Sequence, residues 1–232
     1  MISEKNFAKH YSSFWNEHTP WLQEYYASEN ASGRRIAGPV KQHEETDFVS
    51  INNIIATTHY KNICNDPGHP LEESFRESLP IARRYPGSKW AGYELTELHR
   101  EIIHIQVNRL DGQYGSMVKH DPFFPGCGIM SSCRGDLISG QTLVEVKAQK
   151  ARTENKPFRI EDFRQLIVYC ALNYLAGEKY KITKINLFNP RLGYLWSSDL
   201  EEFIYIISNS TSAELFENLG NYLTESAETI DY

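Results

Sequence analysis

At 232 residues and 41% apolar, the chain is long enough to bury a full hydrophobic core and is far from a disordered composition, so one domain with an appendage is expected. No stretch approaches the roughly 18 uninterrupted apolar residues of a membrane span, and Met1-Ile2-Ser3-Glu4-Lys5 lacks the charged-then-apolar build of an export signal, which points to a soluble cytoplasmic protein. The formal charge of −6 argues against coating nucleic acid by bulk attraction, though not against local contact.

In chain order, Phe7, Tyr11, Phe14, Trp15, Trp21, Leu22 and Tyr25 recur at mixed three- and four-residue spacings. They predict one or two amphipathic helices broken near Pro20, with the aromatic stripe in the core. Residues 28–47, holding Gly33, Arg34, Arg35, Gly38 and Pro39, read as a long mobile loop. Residues 48–63 carry Phe48, Val49, Ile51, Ile54, Ile55 and Ile63, and periodicity leaves helix and buried strand both open. Residues 65–70 form a turn by composition, and none of the residues from there to 87 shows a clear period.

Leu95, Leu98, Ile102 and Ile105 predict a helix over residues 88–110. Residues 121–128, with two prolines and two glycines, break regular structure. The apolar runs 135–138 and 142–146, joined by Ser139-Gly140-Gln141, predict a β-hairpin. Phe163, Leu166, Ile167, Cys170 and Tyr174 mark a helix over 160–175 ended at Gly177. Residues 182–188 alternate as a strand, 189–193 turn, and Tyr194-Leu195-Trp196 form its partner. Thr211 and Glu214 fit a capping box opening a last helix. This order predicts an α/β fold, a central mixed sheet flanked by helices, with residues 1–87 as an extra N-terminal region contacting a partner or substrate and 88–232 as the core.

Four scattered cysteines, Cys64, Cys127, Cys133 and Cys170, read as reduced thiols. The chemistry concentrates in the hairpin. Glu145 and Lys147, two apart on a strand, project from one face, and Asp136 on the neighbouring strand reaches the same spot. Two converging carboxylates call for a cation, and oxygen donors suit Mg²⁺ or Mn²⁺. A lysine beside them can hold an attacking water or balance charge on a phosphate, which is what phosphodiester hydrolysis requires. The bland alternative for Glu145 and Lys147 is a solvated surface ion pair.

The string Gly135-Asp136-x8-Glu145-Val146-Lys147 resembles the signature of PD-(D/E)xK nucleases, with glycine where some members carry proline. Gln165 and Tyr169, four apart on the next helix, resemble the Gln-x3-Tyr motif of the RecB-like branch. The resemblance spans residues 88–196 and implies a restriction-endonuclease-like core. It implies Asp136, Glu145 and the Val146 carbonyl as metal ligands, Lys147 as the catalytic lysine, and Gln165 and Tyr169 orienting substrate or lysine. One more acid from the preceding helix is implied, for which Glu94, Glu97 and Glu101 compete, Glu101 foremost; His99 and His104 share that helix. Cys170 has no accompanying cysteine triplet, against an iron–sulfur cluster. Arg134, Lys150, Arg152 and Arg164 are expected to meet the phosphate backbone. The expected activity is Mg²⁺- or Mn²⁺-dependent cleavage of DNA, ahead of RNA, in phage defence, repair or recombination, with a homo-oligomer or partner protein in view. The alternative is a catalytically silent nuclease-fold subunit that binds nucleic acid or assembles a complex.

Overall fold

The computed structural model describes residues 1–40, 48–83, 93–147 and 157–230. The N-terminal stretch folds as three short helices, α1 (Glu4–His10), α2 (Ser12–His18) and α3 (Leu22–Ala27). A 3-10 turn (Glu29–Ser32) then leads into a two-residue strand β1 (Arg34–Arg35). Residues 34–40 are therefore an anchored edge and not a loose linker: β1 pairs with the penultimate part of the sheet, Ile36 N donates to Gly193 O at 2.7 Å, and Val40 is buried. Residues 41–47 lie outside the described residues.

Helix α4 (Val49–Asn65) settles the open choice at 48–63. Helix α5 (Leu71–Ala82) occupies a stretch without an apolar period, because its buried side chains are Leu71, Ser74, Ser78 and Ala82, and Pro80 lies within its last turn. Helix α6 (Glu97–Tyr114) starts at Thr96, whose hydroxyl accepts from His99 N. Its buried face is His99, Ile102, Ile103, Gln106, Val107 and Leu110, rotated from the expected Leu95/Leu98/Ile102/Ile105 stripe; Leu98 and Ile105 are half-buried. Residues 84–92, the expected start of that helix, lie outside the described residues.

The strands follow: β2 (Val118–His120), β3 (Phe123–Phe124), β4 (Cys133–Arg134), β5 (Leu137–Ser139) and β6 (Thr142–Val146). The β5–β6 turn has Gly140 at φ 58° in its first central position, the requirement of a type II′ turn. After α7 (Ile160–Leu175) and Gly177 at φ 84° come β7 (Lys184–Asn189) and β8 (Tyr194–Asp199). Then comes α8 (Leu200–Ser208), capped by Asp199 and not foreseen from sequence, and finally α9 (Ser212–Ile230). The capping box holds: Glu214 N donates to Thr211 Oγ1 at 3.2 Å and Thr211 N to Glu214 Oε2 at 2.8 Å.

Six strands form one mixed sheet in the order β1-β8-β7-β6-β5-β2, with β6 and β7 parallel across the α7 crossover and the other pairs antiparallel. β3 and β4 form a separate ribbon. Because side chains alternate along a strand, the sheet feeds two cores. Leu143, Ile185, Leu187 and Trp196 face a layer containing α1, α2, α3, α7, α8 and α9. Val144, Val146, Phe188 and Leu195 face α4, α5 and α6. Residues 1–87 thus supply helices to both layers and an edge strand, so a boundary near 87 separates no core from another. No described helix is long and apolar enough to cross a membrane.

Candidate active site

The second strand of the hairpin ends at the site. Glu145 follows Leu143 on the α7 side of the sheet, and Lys147 follows Glu145 just past the end of β6. Asp136 sits immediately before β5 rather than within it. Its Oδ2 accepts from Val146 N at 2.6 Å, which clamps the two strand ends together. The glycine before it has a local cause: Gly135 N donates to Pro122 O at 3.1 Å, a bond a proline would lose, and a Cβ would press to 3.2 Å from Phe124.

Glu145 and Lys147 are not a solvated ion pair. Their side chains are 6% and 12% exposed, and Lys147 Nζ donates to Glu145 Oε1 at 2.9 Å and to Gln165 Oε1 at 2.7 Å, with Asp162 Oδ1 at 3.4 Å. Gln165 Nε2 donates to the Tyr169 hydroxyl at 2.6 Å, and Tyr169 stacks on Phe124 at 5.2 Å. The face of α7 that bears Gln165 and Tyr169 therefore carries a polar relay: Tyr169 fixes Gln165, and Gln165 fixes the lysine.

Burial, and then the neighbouring Glu145, push the Asp136 carboxyl up to about 8. Burial alone would lower the Lys147 ammonium, but Glu145, Asp162 and Asp136 together hold it above its ordinary value. Burial and the surrounding acids raise Tyr169, so it stays a neutral phenol. Glu145 Oε2 is buried without a hydrogen-bond partner. Such an oxygen carries its full desolvation cost, and a carboxyl driven toward its neutral form signals missing positive charge.

A hard divalent cation fits these observations. Asp136 and Glu145 offer two carboxylates, and Mg²⁺ commonly takes one or two carboxylates and keeps water in its other positions. Among the described residues no group of three His, Cys, Asp or Glu side chains is arranged to hold a metal ion.

Comparison with known proteins found no match, whether to a family model, a curated protein or a solved structure.

Asp136, Glu145, Lys147 and Gln165 line one cleft of about 810 Å³. The helix acids do not join them. Glu94, Glu97 and Glu101 are exposed and absent from the cleft wall, to which α6 contributes Leu110, near its other end. His99 is buried, donating Nδ1 to Glu94 O at 2.8 Å and stacking on Tyr93, and His104 lies near His59. Arg134 is exposed, its guanidinium over Phe123 and bonded to Asp121 O at 3.0 Å. Arg164 is half-buried, stacked over Trp15 at 5.4 Å and bonded to Ala8 O at 3.2 Å. It ties α7 to α1 and α2 and is not presented to the cleft. Lys150 and Arg152 lie outside the described residues.

Two groups escaped the sequence reading. Asp162 bonds Arg159 N through Oδ2 at 2.7 Å while Oδ1 faces Lys147; a first-turn acid looks like an ordinary helix cap. Glu4 on α1 accepts from Gln165 Nε2 at 3.4 Å, and nothing in the sequence signals a contact across 161 residues.

Proposed function

We propose that the protein is a metal-dependent nuclease built on a restriction-endonuclease-like core, hydrolysing phosphodiester bonds, in DNA ahead of RNA. The observation that carries this reading is the Asp136–Glu145–Lys147 set at the end of β6, with one buried Glu145 oxygen left unpartnered. It is supported by the strand–strand–helix–strand order β5-β6-α7-β7 and by the Gln165–Tyr169 relay, the contacts that the motif resemblance implies.

Asp136 and Glu145, with the Val146 carbonyl, would hold Mg²⁺ or Mn²⁺. When bound, the cation supplies charge neutralisation at the phosphate and acidification of the attacking water. Glu145 would offer that cation its Oε2, which has no hydrogen-bond partner. Lys147, still held by Gln165 and Asp162, directs an N–H toward the water or a non-bridging oxygen, where preorganised charge lowers the barrier. Gln165 and Tyr169 keep the ammonium in place, and the apolar walls Leu137 and Val146 limit bulk water at the floor.

The test is purified protein with labelled single- and double-stranded DNA and RNA, in Mg²⁺, Mn²⁺ or EDTA, beside Lys147→Ala. Metal-dependent cleavage that disappears in the variant is the expected result. Absence of cleavage in every condition, or equal cleavage by Lys147→Ala, would overturn the reading.

A further inference from the structure

Gln165 has two unlike ends, and its direction decides what Lys147 meets. Its Oε1 accepts from Lys147 Nζ at 2.7 Å, while its Nε2 donates to the Tyr169 hydroxyl at 2.6 Å and to Glu4 Oε1 at 3.4 Å. A carboxamide turned half a revolution about its last bond keeps almost the same shape but exchanges its oxygen for NH₂. Turned that way, Gln165 would aim N–H groups at an ammonium. Lys147 would then keep, among the described residues, Glu145 and Asp162 alone as oxygen neighbours. Packing does not distinguish the two states, so the polar partners must.

Those partners do not weigh equally. A phenol hydroxyl both donates and accepts, so Tyr169 serves either orientation, taking a hydrogen from Nε2 or giving one to Oε1. An ammonium only donates and a carboxylate only accepts. Lys147 therefore specifies the near end of the amide and Glu4 the far end. An amide strung between a cation and an anion is polarised by both, and each contact strengthens the other. At 3.4 Å the contact to Glu4 is long for a hydrogen bond, but attraction between a carboxylate and the positive end of an amide falls off slowly with distance.

Helix α1 is held firmly on both sides of residue 4. Ile2 N donates to Ile129 O at 2.8 Å and Ser131 N to Ile2 O at 2.9 Å, and Ser3 Oγ caps the helix by accepting from Asn6 N at 3.2 Å. Beyond Glu4, Phe7 is buried and Arg164, the neighbour of Gln165, donates to Ala8 O at 3.2 Å. The Glu4 charge is felt along the relay: after burial and Glu145 it raises the Tyr169 phenol, and after burial it raises the Cys133 thiol. Gln165 lines the cleft and Glu4 does not, so Glu4 reaches the reacting groups only through Gln165. We infer that Glu4 is a positioning residue, whose carboxylate sets the direction of the Gln165 amide and so keeps the amide oxygen on Lys147. This rests on the nuclease reading for the reaction the lysine serves; the orientation of the amide does not.

Two readouts separate the contact from the chemistry. In ¹⁵N-labelled full-length protein, the Gln165 side-chain NH₂ signal is identified as the one lost in Gln165→Ala. Glu4→Met keeps length and helix propensity but offers no acceptor; Glu4→Gln offers either an oxygen or an NH₂. Both, with melting curves showing them folded, should shift the Gln165 signal and speed its exchange with water, Glu4→Met more than Glu4→Gln. On whichever labelled nucleic acid the wild type cleaves in Mg²⁺, Glu4→Met should lower kcat about 3–10-fold, less than the 10–100-fold typical of a directly supporting contact, with KM unchanged. Added to Gln165→Ala it should cost nothing more, because residues acting through one another are not additive. A Gln165 signal unmoved in both folded variants, wild-type kcat in both, or the same loss on the Gln165→Ala background overturns the inference. A shifted signal in a protein that cleaves nothing keeps the positioning of the amide and sinks the nuclease; cleavage with an unmoved signal does the reverse.

Discussion

Asp136 carries a cost that can be measured without substrate. In EDTA, Asp136→Asn is expected to stabilise the protein at alkaline pH. In the fold the carboxyl is pushed from 3.8 to about 8, by burial and then by Glu145. An acid whose pKa is raised by folding is ionised first in the unfolded chain, so stability falls as pH rises from about 4 to about 8. At 1.36 kcal/mol per pH unit, that interval sets a ceiling of about 5–6 kcal/mol. Asp136 is only half-buried, so solvent screening leaves roughly half, about 2–3 kcal/mol. Asparagine keeps an oxygen to accept the Val146 N–H and removes the charge. For a chain of this size the gain corresponds to a rise of about 4–12 °C in Tm at pH 8, shrinking toward zero at pH 4.5. Thermal melts of both proteins at the two pH values decide it. A variant that melts below wild type at pH 8, or a gap that is the same at both pH values, would refute the electrostatic account of the site.

Gln165→Ala should leave the protein folded and reduce kcat about 10–100-fold, as loss of a supporting contact commonly does, because Lys147 loses one of its three oxygen neighbours; unchanged turnover on every substrate would remove Gln165 from the machinery. Mg²⁺ should raise the Tm of wild type, by an amount equivalent to about 2.7 kcal/mol at 100 times Kd, and not that of Glu145→Ala; an equal rise in both would place the cation elsewhere. Thr211→Ala breaks the reciprocal cap of α9, costing about 1 kcal/mol with cleavage unaffected, and a loss of activity at constant Tm would contradict a purely structural cap.

The sequence determined those elements whose signal is local. The β5–β6 hairpin follows from alternation around Gly140, α7 from a helical period that begins and ends where expected, and the start of α9 from the Thr211–Glu214 box, because in each case neighbours along the chain are the partners. From those elements Glu145 and Lys147 could be placed on one face within reach of Asp136, while Gln165 and Tyr169 join them in the sequence only through the motif resemblance. Where burial is carried by small or polar side chains the signal fails. Helix α5 buries serines and an alanine, α6 buries His99 and Gln106, and apolar period alone therefore misses the first and misjudges the rotation of the second. Only the tertiary structure decided the rest of the site. Glu4 reaches Gln165, and Asn53 and Lys9 reach the cleft, because α1 and α4 pack on opposite layers of a sheet built largely from residues 118–199. Which layer a helix joins depends on apolar surface supplied by strands more than fifty residues away, a non-local choice that no window along the chain contains.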